Sequence, residues 1–387
     1  MPLLALDDTD GRDGGCTTHL AFQVLLALPE LALTGMPRLV RLNPNVPWKT
    51  RGNGAVLLPL GVPRGPSVRV GELRGLEILA FPDAAPAAAT TDVLERVWQV
   101  VRQAAQPGAQ PAVALANEPA PAAAYWQAVR TLVPPEEARP ALDASDILHR
   151  ETEGGRALAG CLGALAWPGP ASSYEFIAYR HPSRWGTPRA VSPEPLLGLD
   201  ATGATFHTSD PEEGRVACVP HGPDPVLLGL RGRDPEALLA AATRNLPFAA
   251  QEPIDGWLLW ATNQASGDHV TPIDNVAETP ELATIRVAGT VQALPETRAG
   301  GHAFVALTDR DGIRFQAAAF EPTKGLRETV RRLRPGDEVV AVGVDGEVAP
   351  GDGRHQRAAL LGLGHLRSQR RADPGLELLV RLAALGA

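Results

Sequence analysis

The side chains best suited to chemistry lie near the N-terminus. Four carboxylates fall within seven residues, at Asp7, Asp8, Asp10 and Asp13, and Gly14-Gly15-Cys16-Thr17-Thr18 follows them. Carboxylates offer hard oxygen donors to Mg2+, a cation that keeps company with phosphates. A helix that begins at the threonines adds unpaired N–H groups and the positive end of its dipole, both of which favour a phosphate. Asp7, Asp8 and Asp10 upstream of a helix start therefore offer a place for a metal-bound phosphate. The three acids are the candidate metal ligands, and Gly14 and Gly15 form the turn before the helix. Residue type alone leaves a second reading open, an acidic turn with Thr17 or Thr18 as a plain N-cap. The segment is not a Walker A loop.

A second segment, residues 39–55, carries Lys49, Arg51, Gly52, Asn53 and Gly54. Lys49 and Lys324 are the chain's two lysines against a background of arginine. A lysine is a compact point charge and an arginine a planar fork, and both suit phosphate oxygens. Lys49, Arg51 and Asn53 are candidate nucleotide contacts, with a surface turn as the alternative. Arg156 opens an apolar stretch beside Gly155 and Gly160, where missing side chains permit either close packing or close approach of a ligand. Asn263, Gln264, Asp268 and His269 follow an apolar strand, and Asp224 sits in a GPDP turn. An amine or guanidinium substrate wants carboxylates and amide oxygens, so these five are candidate substrate contacts. Turn capping by Asn and Asp is the competing role. Trp48, Trp185 and Trp260 could stack on a nucleobase or serve as core.

These residues need elements to hold them. The apolar run 3–6 predicts a buried strand, and Leu20, Phe22, Val24, Leu25 and Leu26 predict a helix after the glycine pair. Residues 82–91 are a Pro/Ala-rich connector. An amphipathic helix is expected over 92–105, a strand over 112–116, a helix over 122–132, a buried helix over 155–167 and a strand over 175–179. The strands 226–230 and 257–262, with a helix over 235–244 between them, have the βαβ look of a ferredoxin-like half. Residues 284–345 alternate in short runs, turn at 309–312, and place one helix (323–333) before the last strand, the pattern of a small OB-type barrel.

The chain has 387 residues, 44% hydrophobic and 21% charged, with a formal net charge of −8. No run approaches the length of a membrane span and no signal-peptide pattern follows Met1, so the cytoplasm is the expected compartment and no membrane partner is expected. Three scattered cysteines, Cys16, Cys161 and Cys218, make neither a disulfide framework nor a CxxC zinc site. An acidic total argues against a dedicated nucleic-acid binder, although a local arginine face can still hold RNA.

The segments LLALDDTDGRDGGCTTHL and LVRLNPNVPWKTRGNGA resemble the archaeal-type agmatidine synthetases, the isoleucine-tRNA 2-agmatinylcytidine synthetases. Collinear matches continue through GGRALAGCLGALAW (154–167), SYEFIAYRHPSRWGTPR (173–189), GPDPVLLGLRG (222–232), WATNQASGDH (260–269) and AFEPTKGLR (319–327). The resemblance covers roughly residues 1–345. It implies ATP and Mg2+ beside Asp7, Asp8 and Asp10, a phosphate acceptor at Thr18, and nucleotide phosphates near Lys49, Arg51 and Asn53; Gly14, Gly15 and Arg156 are further candidate ATP contacts. It further implies agmatine or a similar amine as co-substrate and the CAU-anticodon isoleucine tRNA as partner.

The implied fold class is α+β and multidomain: an N-terminal mixed α/β phosphoryl-transfer domain (1–195), a ferredoxin-like domain (196–275), a C-terminal OB-fold barrel (276–350), and a basic segment with a tail helix (351–387). The family's C-terminal zinc ribbon has no counterpart in cysteines here, so no zinc is expected. Residues 346–371 are instead rich in glycine and arginine, with Arg354, His355, Arg357, Arg367, Arg370 and Arg371, and a Leu-rich helix is expected over 376–385. An ATP-dependent enzyme acting on another RNA or amine, or a non-catalytic OB-fold RNA-binding protein, are the alternatives.

Overall fold

A computed structural model of the chain describes residues 1–210, 213–320, 323, 325–348 and 356–361. The chain divides into two compact units. One comprises Met1–Leu42, Asn53–Val129 and Val133–Gly267, and the other Asn43–Gly52, Arg130–Leu132 and the chain from Asp268 onward.

The first unit is built on an eleven-stranded sheet. In chain order its elements are β1 (Leu3–Asp7), α1 (Thr17–Leu26), β2 (Ala32–Leu33), β3 (Arg38–Arg41), β4 (Gly54–Gly61), β5 (Val68–Leu73), β6 (Leu76–Ala80), α2 (Thr91–Ala104), β7 (Ala112–Ala116), α3 (Ala122–Arg130), α4 (Pro135–Ala144), β8 (Leu148–Glu151), α5 (Leu158–Leu165), β9 (Ser173–Arg180), the two-strand pair β10 (Ser209–Asp210) and β11 (Arg215–Val216), β12 (Val226–Gly232), α6 (Pro235–Ala249) and β13 (Ile254–Thr262). The sheet order is β12-β9-β13-β5-β6-β2-β4-β1-β7-β8, with β3 bridging β13 and β4.

Strand β1 lies between β4 and β7, both antiparallel to it. It reads as a continuous apolar run because both its faces are covered. Leu4 and Leu6 join the core under α1 and α2. Leu3 and Ala5 join the opposite core under α3, α4 and α5. Alternation then sends the side chain of Asp7 to the α5 side.

At the other end of the sheet, β12 and β13 flank β9, each antiparallel to it, and α6 connects them. This is a split βαβ unit. Phe176, Ala178, Trp257 and Leu259 pack under α6. Ile177, Tyr179, Leu258 and Trp260 face the core that contains α1.

The second unit contains β14 (Val270–Ile273), β15 (Thr284–Val291), β16 (Glu296–Thr297), β17 (Ala303–Thr308), β18 (Arg314–Ala319), α7 (Gly325–Arg331), β19 (Glu338–Val348) and β20 (Gln356–Leu361). Strands β15, β17, β18, β20 and β19 pair in a closed ring, since β15 bonds both β17 and β19. All ring pairings are antiparallel except β18 with β20. Ile285, Val287, Val291, Val305, Leu307 and Phe315 fill it, with Leu326 and Val330 of α7 packed against them. The turn after β17 is held by Asp309, whose Oδ1 accepts from the amides of Asp311 and Ile313, and Gly312 takes the left-handed conformation.

Several expected elements differ in extent. The buried helix is shorter, Leu158–Leu165, and α6 runs past Arg244 to Ala249 although Pro247 lies inside it. Helix α4 and edge strand β8 fall in a stretch for which no element is expected from the sequence; Pro134, Pro135 and Pro140 interrupt the local helical pattern there. Arg354, His355, Arg367, Arg370, Arg371 and the expected tail helix lie outside the described residues. No helix among the described residues is long and apolar enough to cross a membrane.

Candidate active site

The turn between β1 and α1 is closed on itself. Gly11 and Gly14 form an antiparallel bridge, and the amide of Gly11 donates to the Gly14 carbonyl at 2.9 Å. Gly15 has φ +76°, and a Cβ there would stand 2.5 Å from Cγ of Gln106. Only glycine fits that turn, which lies against Gln106, and the amide of Gln106 in turn donates to the Thr9 carbonyl.

Helix α1 starts with Cys16 at its N-cap, and the Cys16 side chain makes no capping hydrogen bond. Neither threonine is the cap expected from the residue types. Thr17 Oγ1 instead bonds Thr9 Oγ1 at 2.9 Å, and Thr18 Oγ1 bonds Cys16 Sγ at 2.9 Å. No acidic residue occupies the first turn. The positive end of the helix therefore keeps its affinity for an anion.

The three acids take different roles. Asp7 follows Ala5 onto the α5 side and lies half-buried against Gly160, where a Cβ would fall 1.8 Å from Asp7 Oδ2. Burial, then the neighbouring Asp8 and Asp10 charges, hold its carboxyl well above the usual range. Asp8 has φ +51°, a strained value that turns it off the strand line. Its Oδ2 accepts from Arg156 Nη2 at 2.7 Å, Arg156 Nε at 3.1 Å and the amide of Gln110 at 3.3 Å. Among the described residues no group of three or more His, Cys, Asp or Glu side chains is placed to hold a metal ion. Asp7, Asp8 and Asp10 thus do not form the expected ready-made trio: one is packed under α5 and one is bound to an arginine.

The substrate candidates also separate. Asn263 clamps the end of β3, with Oδ1 accepting from the amide of Arg41 at 2.6 Å and Nδ2 donating to the Arg41 carbonyl and to Tyr125 Oη. Both amide hydrogens are used within the protein. Gln264 accepts at its carbonyl from Ser173 Oγ. Asp224 is buried, and its Oδ1 accepts from the amide of Val226 at 3.0 Å and faces Arg189 at 3.2 Å. Asp268 and His269 belong to the second unit, as do Lys49 and Arg51, whereas Asn53 belongs to the first. Trp260 is fully buried and cannot stack on a base; Trp48 and Trp185 are partly exposed.

Two models of domains match the sequence, the TiaS TCKD domain over residues 3–154 and the TiaS FLD domain over residues 155–269. Among characterised proteins, TiaS of Methanosarcina mazei, a tRNA 2-agmatinylcytidine synthetase specific for an isoleucine tRNA, is 34% identical over 354 residues, which span 88% of this chain and 77% of that protein. The chain belongs to the TiaS family. Two solved TiaS structures superpose closely. A complex of TiaS with its isoleucine tRNA and ATP has a TM-score of 0.78 at 29% identity, covering 95% of this chain and 81% of that one. A complex of TiaS with the same tRNA, AMPCPP and agmatine has a TM-score of 0.76 at 29% identity, covering 94% and 82%.

In this TiaS-family chain a second polar group, absent from the sequence-based candidates, lies on the α1 side of the sheet. Glu175 of β9 stands opposite Trp260 of β13. Arg41 Nη2 reaches Glu175 Oε2 at 2.7 Å, and Arg231 Nε stands 3.5 Å from Oε1. Burial pushes this carboxyl up, but Arg41 and then Arg231 more than offset it, leaving it below the usual range. The signal in SYEFIAY is Glu175, a charge on the same parity as Ile177 and Tyr179 within a strand rich in apolar and aromatic residues.

Proposed function

We propose that this protein is an ATP-dependent ligase that joins agmatine to the wobble cytidine of the CAU-anticodon isoleucine tRNA through a phosphorylated cytidine. The observation that carries the reading is the β1–α1 turn: a helix start without a side-chain cap, bearing Thr18, next to an arginine-bound Asp8 and a half-buried Asp7, in a chain of this family.

The chemistry follows from leaving groups. The 2-oxo group of cytosine departs poorly. A phosphoryl group taken from ATP makes it a phosphate, and the primary amine then displaces that phosphate at C2 with loss of a proton. The amides at the start of α1 and the glycine turn hold phosphate oxygens, and Arg156, fixed by Asp8, presents its remaining donors to the nucleotide. Thr18 is the acceptor hydroxyl in this reading. Lys49, Arg51 and Asn53 are proposed phosphate contacts, and Asp224, Gln264, Asp268 and His269 are proposed amine contacts. Mg2+ would be held by Asp7 and Asp10 with phosphate oxygens, a mode that needs only one or two carboxylates, and would offset charge on the transferring group.

The finer architecture belongs to the same reading. The β9–β12–α6–β13 unit is the ferredoxin-like part. The closed ring β15-β17-β18-β20-β19, with its helix between third and fourth strands, has the strand order of an OB-fold and would carry RNA. The compartment is the cytoplasm, where the tRNA is found.

Incubation with γ-labelled ATP, with and without the tRNA, tests the reading. Label on RNA or protein supports it, and ATP left intact under both conditions excludes it.

A further inference from the structure

The carboxylate of Glu175 carries one negative charge and is met by two cations. Arg41, at the end of β3, donates from Nη2 to Oε2 at 2.7 Å, and Arg231 of β12 brings Nε to 3.5 Å from Oε1. Neither arginine pairs with another carboxylate among the described residues. The cluster therefore holds one positive charge more than it neutralises. A buried carboxylate needs one counter-ion, so Glu175 does not account for the second arginine. The two side chains are also under-used as donors. A guanidinium has five N–H groups, and Glu175 engages one nitrogen of each. Arg41 Nε is buried without a hydrogen-bond acceptor.

The strands hold the pair in place. Register sets Arg231 directly opposite Glu175. Asn263 clamps both the amide and the carbonyl of Arg41. The side chains of Arg41 and Arg231 are 26% and 33% exposed, whereas that of Glu175 is 5% exposed. The carboxylate is thus closed in while both forks reach solvent. Gly229, on the same face of β12 as Arg231, puts no side chain beside them, and a Cβ there would stand 3.1 Å from Glu175 Oε1.

The surplus charge repels an ammonium or guanidinium group, which excludes the amine from this spot. Two planar forks with spare donors suit an anion with several oxygens, and phosphate is the one that arginine binds in pairs of hydrogen bonds. We propose that Arg41 and Arg231 form a phosphate clamp, with Glu175 as the residue that positions both guanidinium groups. The phosphate belongs to the nucleotide or to the RNA backbone, which offer the same oxygens. The proposal rests on the reading of the chain as an ATP-dependent tRNA ligase.

The test uses the full chain. Arg231→Gln leaves Arg41 as the counter-ion of Glu175, and a melting curve checks that the fold is kept. Two affinities are measured separately: AMPCPP with Mg2+ by calorimetry, and the CAU-anticodon isoleucine tRNA by filter binding over a salt series without nucleotide. Arg102→Gln, at an exposed position of α2, controls for net charge. The expected result is a loss of about ten- to hundredfold in one of the two affinities, at the parent melting temperature, with Arg102→Gln unchanged. Loss for AMPCPP assigns the phosphate to the nucleotide. Loss for tRNA, with a salt slope flattened by about 0.7 to 0.9, assigns it to the RNA backbone. Arg41→Gln gives its loss in the same arm. Glu175→Gln adds positive charge and still weakens binding in that arm, because the forks lose their anchor; tighter binding would show attraction by charge alone and overturn the positioning role. Unchanged affinities in Arg231→Gln, loss in both arms, or the same loss in Arg102→Gln overturns the clamp. If the parent binds neither AMPCPP nor the tRNA, the ligase reading has failed, and calorimetry with tripolyphosphate decides. Binding to the parent that weakens in Arg231→Gln supports the clamp, and no binding overturns it.

Discussion

Arg156 reaches back across most of the N-terminal half of the chain to place two nitrogens on one oxygen of Asp8, at 2.7 and 3.1 Å. The pair ties the end of β1 to the loop before α5. It also fixes the guanidinium plane next to the glycine turn.

Asp8→Asn keeps the size of the side chain and removes the charge that holds Arg156. ATP consumption should fall about ten- to hundredfold, the scale of a hydrogen bond to a charged group, while circular dichroism stays that of the parent. Arg156→Lys loses the two-nitrogen contact and should fall into the same range. Full turnover in a folded Asp8→Asn protein would remove this pair from the site.

Gly160 is a fitted space for Asp7. Gly160→Ala places a methyl 1.8 Å from Asp7 Oδ2, so the carboxylate or the helix must move, at about 1–3 kcal/mol by analogy with overpacked cores. Chemical denaturation should show that loss, and Asp7→Ala in the same chain should restore most of it. Independent, additive effects of the two substitutions would show that they do not touch.

Burial holds His19 below its ordinary pKa, against the pull of Asp255 3.5 Å away. The folded protein then binds fewer protons at this ring than the unfolded chain does. Its stability contribution is present above the unfolded value of about 6.5 and is lost as pH falls from there toward the lowered folded value. Denaturation midpoints at about pH 7.5 and about pH 5.5, on either side of that unfolded value, should differ less in His19→Gln than in the parent. An equal difference would place the pH dependence elsewhere.

Arg180 is fully buried and donates to Glu252 through Nε and Nη2, the latter at 2.9 Å, while Nη1 holds the Thr187 carbonyl at 2.7 Å. Glu252→Gln leaves that cation without its counter-ion and should cost about 3–5 kcal/mol. The exposed pair Arg96–Glu30 should cost no more than about 1 kcal/mol when broken. Comparable losses from the two would contradict the view that burial makes the Arg180–Glu252 pair the more costly one to break.

The elements that sequence made legible are those with strong local patterns. Residues 3–6 are apolar on every position because β1 is covered on both faces, and α1, α2 and the strands of the barrel each announce themselves by period. Helix α4 did not, because its prolines sit at its start and at Pro140, where packing of Ala138 and Leu142 overrides local preference. The site was legible as a list of residues, not as an arrangement. That Asp8 faces Arg156, that Asp7 lies under Gly160, and that Asn263 spends its amide on Arg41 and Tyr125 depend on partners 138 or more residues away.

Whether the chain is an agmatine ligase is decided by mass spectrometry of the wobble cytidine after the purified protein is incubated with ATP, Mg2+, agmatine and the CAU-anticodon isoleucine tRNA. The expected product is a cytidine heavier by agmatine less one water, formed only when all components are present and absent with Thr18→Ala. An unmodified cytidine with ATP consumed would assign the phosphoryl chemistry to another acceptor, and an unmodified cytidine with ATP intact would contradict the ligase assignment.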